Sequence, residues 1–182
     1  MLFRSLSVDT SMGLTPLSGL VMGTRSGDVD PALSAHLARV AGLDVAVVET
    51  ALNGASGLLG LAGVSDMREV TRRAAAGDQD ARLALDVYCY RIRCSIGAYH
   101  AALGELHAVA FTGGVGEHSA VVRELSISGL APMGIRLDPG RNADPGKGAQ
   151  LISSDDSPVA VLVIPTDEER EIAAQTLSAL RT

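Results

Sequence analysis

Tryptophan is absent and aromatic residues make up 3% of the 182 positions. Stacking platforms for nucleic-acid bases therefore have almost nothing to be built from. Lysine and arginine total 15 against 21 acids, a formal net charge of −6, and this argues against a surface made for phosphate backbones. No apolar run approaches the roughly 18 residues that a membrane-crossing helix needs. Cysteine is scarce too. Cys89 and Cys94 fall five apart in one helical pattern, about 140° apart around its axis, so they do not face each other for a bridge. Neither sits in a CxxC or Cys/His metal spacing, and both read as buried structural thiols. MLFRSLSVDTSMG has neither the basic lead-in nor the long apolar core of a signal peptide, and a cytosolic setting is the expectation. Small molecules or another protein chain are the expected partners, with no nucleic acid and no membrane.

What is present is a globular composition, 47% hydrophobic and 20% charged, in a length that suits one domain with a sizeable core. Residues 9–31 are loop-like. Asp30 and Pro31 predict a helix start that Gly42 closes. A second helix is predicted from Asp44 to a break at Asn53-Gly54. A third runs from Asp66 to Ala76 with Ser65 as its cap and Gly77 as its stop. The longest pattern covers Asp78 to Leu103. Leu83, Val87, Tyr90, Cys94 and Tyr99 are read as its packed face, and Arg82, Asp86 and Arg93 as other faces. Leu106–Phe111 reads as a strand, Ser119–Leu130 as a helix, and Pro132–Asp156 as loop with a short strand near Ile135. Val159–Ile164 reads as a fully buried parallel strand, and Asp167–Leu180 as the last helix. The layout is α/β, with at least two strands feeding helices.

Two strand-to-helix junctions attract attention. In AFTGGVGEHS, Gly113, Gly114 and Gly116 follow an apolar run, an arrangement that lets backbone N–H groups approach a nucleotide. A tight turn with no ligand would also use glycine, and both readings stand. In VIPTDEER the acids sit at a helix start. Dipole capping explains them simply, and a Mg²⁺ site beside phosphates is the alternative. Arg25, between glycines in GTRSG, is either a solvated group or a fork for phosphoryl oxygens.

DTSMGLTPLSGLVMGTRSGDVDP, SGLLGLAGVSDMREV, FTGGVGEHSAVVRE and VLVIPTDEE, in this order, resemble acetate kinase over essentially the whole chain. Relatives acting on propionate or butyrate share much of the pattern. The resemblance implies an actin-like ATPase (ribonuclease H-like) fold. This chain is expected to supply its C-terminal nucleotide-binding lobe over residues 1–182, helix-rich with a short mixed sheet and with the N-terminal lobe missing. It implies Mg²⁺ (or Mn²⁺)-dependent transfer of the ATP γ-phosphoryl group to acetate, giving acetyl phosphate and ADP, by a homodimer. By resemblance Arg25 stabilises the transition state, and Asp66, Met67 and Arg68 help bind adenosine. Gly114, Val115, Gly116, Glu117 and His118 cradle the nucleotide, and Glu168 helps hold the metal.

The chain also departs from the family pattern. His118 and Asp167 each stand where Asn is usual. The Asn-Cys-Gly-Ser-Ser-Ser start, the His-Leu-Gly-Asn-Gly loop and the catalytic aspartate and histidine of the N-terminal half are not found. His36, His100 and His107 match none of them and read as structural or surface residues. The isolated chain is therefore expected to be inactive, and a nucleotide-binding or dimerising remnant without catalysis is the alternative.

Overall fold

The computed structural model describes residues 2–3, 6–144 and 146–180, so Met1, Arg4 and Ser5 of the MLFRSL stretch lie outside the description. β1 (Leu2–Phe3) and β2 (Leu6–Ser7) pair antiparallel. The chain then forms two compact units.

The first unit comprises the chain to Leu106 together with Val121–Gly129. It is helical: α1 (Leu33–Ala41), α2 (Val45–Gly54), α3 (Gly57–Ala62), α4 (Met67–Ala75) and the 25-residue α5 (Gln79–Leu103). The caps follow from side-chain chemistry. Asp44, Asp66 and Asp78 each accept hydrogen bonds from first-turn amides that would otherwise lack a partner. Asp66 thus replaces Ser65 as the expected cap, because its carboxylate reaches the Arg68 amide. α1 starts at Leu33 rather than at Pro31, because Asp30 closes a turn first, accepting from Ala32 through its side chain and from Leu33 through its carbonyl.

α5 packs on α3 and α4, but not through the expected face. Ala81, Ala84, Leu85 and Cys89 are buried, whereas Leu83 and Tyr90 are 53% and 59% exposed. Two apolar rows at helical spacing run along this helix. The alanine row is the one its neighbours approach, since small side chains permit close axes. Cys89 is buried as expected and its thiol is pushed up to about 11 by that burial. Cys94 is exposed, which corrects its reading as buried.

The second unit comprises His107–Ala120 and the chain from Leu130 onward. β3 (Ala108–Phe111) pairs in parallel with β5 (Ala160–Val163), Ala108 facing Ala160 and Phe111 facing Val163. β4 (Gln150–Leu151) pairs antiparallel to the other side of β5, giving the order β3-β5-β4. β5 is therefore central, as a continuous apolar run requires. Its burial alternates, with Val161 and Val163 buried and Ala160 and Leu162 half-buried, so one face rather than both is covered. α6 (Gly113–His118) follows β3; α7 (Ala120–Ile127) comes next in the chain, and all but its first residue belong to the first unit. The expected loop after Pro132 contains α8 (Pro139–Ala143), made possible by proline at its first position and the Asp138 carboxylate on the Arg141 amide. The strand expected near Ile135 is two isolated bridges, Ile135 to Val159 and Leu137 to Ser153. α9 (Glu168–Ala179) is capped by Asp167 and buries no residue.

Candidate active site

In the first unit the segment Met22–Ser26 is fixed by its main chain. The carbonyls of Met22, Gly23 and Thr24 accept from the amides of Leu58, Leu59 and Ser56, and the Ser26 amide donates to the Leu52 carbonyl. These bonds satisfy the first amides of α3, so that helix start is occupied by protein. The Thr24 hydroxyl adds a bond to the Asn53 carbonyl at 3.1 Å. Gly57 makes the approach possible. Its φ is +59°, and a Cβ there would lie 2.2 Å from the Met22 oxygen and 2.6 Å from the Arg25 oxygen.

The loop holds Arg25 half-buried at the wall of a cavity of about 390 Å³, lined by Met22, Gly23, Thr24, Arg25, Asn53 and Ser65. Arg25 Nη1 lies 3.7 Å from the Met22 sulfur, a weak contact for a guanidinium. Ser65 connects this cavity to the next expected group. Asp66 caps α4 and also grips Arg68, with Oδ2 2.5 Å from Nη2, and Arg68 holds the Asp66 carboxyl down at about 2. The Arg68 side chain is 91% exposed. Met67 points the other way, into the core with Val70. The three expected adenosine contacts thus occupy different settings: a capping acid, a core thioether and an exposed guanidinium.

Asp28 was not singled out by sequence, and it closes the base of this loop. Its Oδ1 accepts from the Gly19 amide at 2.6 Å and the Ser18 hydroxyl at 2.9 Å, while Oδ2 pairs with Arg91 of α5 at 2.9 Å. The Gly19 amide, above all, holds its carboxyl below the ordinary value, with smaller help from Ser18 and Arg91 and opposition from burial. The acid directly after GTRSG was the available signal.

In the second unit the three glycines separate by reason. They do not form an open turn; they begin α6. Gly113 has a φ of +70°, which suits glycine by conformation. At Gly116 a Cβ would lie 3.3 Å from the Phe111 carbonyl carbon, so glycine allows α6 to close on the end of β3. Gly114 has neither reason. Its φ is ordinary, and a Cβ there would meet nothing within 4 Å. Val115 is half-buried and His118 exposed.

Glu117 joins the two junctions that the parallel pairing of β3 and β5 brings side by side. Its Oε1 accepts from both the Thr166 amide and the Thr166 hydroxyl, each at 3.0 Å. The Thr166 amide is the largest influence holding this carboxyl below its ordinary value. The Thr166 hydroxyl, the Gly113 amide and His118 act in the same direction, and burial opposes them. Glu168 opens α9 and is exposed. Among the described residues no three His, Cys, Asp or Glu side chains gather as a metal cage. One exposed carboxylate still fits Mg²⁺, which commonly takes one or two carboxylates and completes its octahedron with phosphate oxygens and water. Asp167 spends one oxygen on the Arg170 amide at 3.0 Å, so Glu168 is the freer of the two acids.

Residues 4–174 match the acetokinase family. The chain is 60% identical over 173 residues to the acetate kinase of Clavibacter sepedonicus, covering 95% of this chain and 44% of that protein. Identity to the acetate kinase of Streptomyces coelicolor is 58% over 169 residues, 93% of this chain and 42% of that one. Among solved structures, the acetate kinase of Porphyromonas gingivalis superposes with a TM-score of 0.91 at 42% identity, over 97% of this chain and 45% of its own. A propionate kinase from Francisella tularensis gives 0.87 at 42% identity, over 92% of this chain and 43% of its own. The chain spans less than half the length of these relatives.

Proposed function

From the premise that this chain belongs to the acetokinase family, we propose that it is the nucleotide-binding lobe of an acetate kinase. The reaction is transfer of the ATP γ-phosphoryl group to acetate, and its reverse. An acetate carboxylate oxygen forms the new P–O bond while the bond from the γ-phosphorus to the β–γ bridging oxygen breaks, and that oxygen leaves with the electron pair as part of ADP. The single observation that carries this reading is the 58–60% identity, over 93–95% of the chain, to proteins named acetate kinase. The site geometry supports it at two points. Arg25 is presented from a loop that four main-chain hydrogen bonds hold to α2 and α3, as positioning a charge against equatorial phosphoryl oxygens requires. Gly114 leaves open space beside the main chain at the carboxyl edge of a parallel pair, where ligands of α/β sheets bind.

Within this proposal Arg25 neutralises developing charge, and Ser65 with the exposed face of Asp66–Arg68 bounds the adenosine. Gly114 admits the nucleotide, with Val115, Gly116 and His118 forming the surrounding turn. Glu168 holds the divalent cation, which supplies neutralisation of the phosphate oxygens when bound. A homodimer belongs to the same proposal, supported by the exposed Leu83 and Tyr90 on α5. The likeness to a propionate kinase favours a second acceptor of the same class, a slightly longer acid.

The alternative is a nucleotide-binding lobe without turnover of its own. Assay of the purified chain for ATP formation from acetyl phosphate and Mg-ADP separates the two. Turnover that falls by about 10³-fold in Arg25→Ala establishes transfer by this chain. Nucleotide binding without turnover assigns it the binding role alone, and absence of both refutes the proposal.

A further inference from the structure

Glu117 is a carboxylate at an edge proposed to face a polyphosphate, where direct contact between like charges is unfavourable. Its surroundings offer it other work. The ladder between β3 and β5 ends with the Ile164 amide on the Phe111 carbonyl at 2.9 Å. Pro165 has no amide to continue it. Thr166 then presents a main-chain donor and a hydroxyl, and Glu117 Oε1 takes both. Two residues later α9 begins, and no residue of α9 is buried, so packing does not locate its first turn. Glu117 itself is set by α6, which Gly116 allows to close on Phe111.

We propose that Glu117 is a positioning residue: by clasping both donors of Thr166 it places Glu168, and so sets the affinity of this edge for the divalent cation of a nucleoside diphosphate. This rests on the reading of Glu168 as the cation's carboxylate. The clasp couples the two junctions through one side chain. The glycine helix and the acid-bearing segment then move as a unit, and the cation affinity depends on a residue that does not touch the cation.

The test is calorimetric titration of the purified chain with ADP across a Mg²⁺ series, with amide exchange at residues 166–168 as a second readout. Thr166→Val removes the hydroxyl donor and is expected to raise the Mg²⁺ concentration for half-maximal ADP binding about fivefold, the equivalent of one hydrogen bond. Thr166→Ser restores it. Glu117→Ala loses both bonds, shifts the curve about tenfold or more and speeds exchange at residues 166–168. Glu117→Gln keeps a carbonyl acceptor and recovers most of the loss, which a direct carboxylate ligand would not allow. ADP affinity without Mg²⁺ stays unchanged in the Thr166 variants. If Glu168→Ala weakens the Mg²⁺ response while Thr166→Val and Glu117→Ala leave it unaltered, the positioning role is overturned and the metal reading stands. If Glu168→Ala has no effect, or wild-type ADP binding ignores Mg²⁺, the metal reading fails and the clasp proposal falls with it.

Discussion

In the first unit, four main-chain bonds hold Met22–Ser26 against the end of α2 and the start of α3. In the second, the segment leading to Glu168 is held at Thr166 by one carboxylate. The Arg25 loop therefore depends chiefly on backbone approach, with the Thr24 hydroxyl adding one side-chain bond to the Asn53 carbonyl. The sheet edge depends on a side chain, and its geometry is correspondingly open to tuning by single substitutions. Backbone bracing suits a group that must stand still against developing charge. A carboxylate clasp suits a segment proposed to receive a cation arriving with its ligand.

The strongest way to break this contrast is at Gly57. Gly57→Ala puts a Cβ within 2.2 Å of the Met22 oxygen in a left-handed conformation, so the loop must detach or the helix must move. A loss of more than about 2 kcal/mol in urea denaturation is expected, with lost amide protection at Leu58 and Leu59. Unchanged protection there would show that the bracing is dispensable. Met67→Ala comes next, at about 2–3 kcal/mol for a buried thioether, and this cost separates a core residue from a nucleotide contact. ADP affinity lost without loss of stability would reverse that assignment.

Asp28→Ala is smaller, about 1 kcal/mol, because its bonds to Gly19 and Ser18 are real but its pair with Arg91 is partly exposed. Its folded pKa lies below the ordinary 3.8. The stabilisation is therefore present above that value and disappears as pH falls through the lower folded one. Acid titration with amide exchange at Gly19 should show protection lost in that window in the wild type. The variant should lack the step.

Gly114→Ala is expected to have the smallest effect on the fold, and of opposite sign: a gain of about 0.5–1 kcal/mol, since a helical glycine is replaced where a methyl group has room. The same variant should weaken ADP binding. Gained stability with unaltered affinity would leave Gly114 without a ligand role.

Much of the secondary structure was legible because its signals are local. Asp44, Asp78 and Asp167 mark helix starts through their own carboxylates, and Val159–Ile164 reads as a strand from composition alone. α3 was missed because the glycines of SGLLGLAG mask a two-turn helix whose first amides are satisfied by a distant loop. Of the candidate site, Arg25 and the glycine run stood out by residue type. Asp28 and Thr166 did not, because an aspartate after glycine and a threonine after proline look like ordinary turn residues until their partners are known.

The sequence by itself determined the family, through four ordered motifs, and with it the residue types available for phosphoryl chemistry. It also determined where α2, α5 and α9 begin, because a cap is made by a side chain and amides within three residues of it. Only the tertiary structure decided which row of α5 is buried, since two apolar rows satisfy the same period and close packing selects the smaller side chains. It alone decided the separate reasons for Gly113, Gly114 and Gly116, because a missing Cβ acquires meaning from the atoms it would have met. The clasp between Glu117 and Thr166, 49 residues apart, likewise exists only where a parallel register sets the ends of two strands side by side.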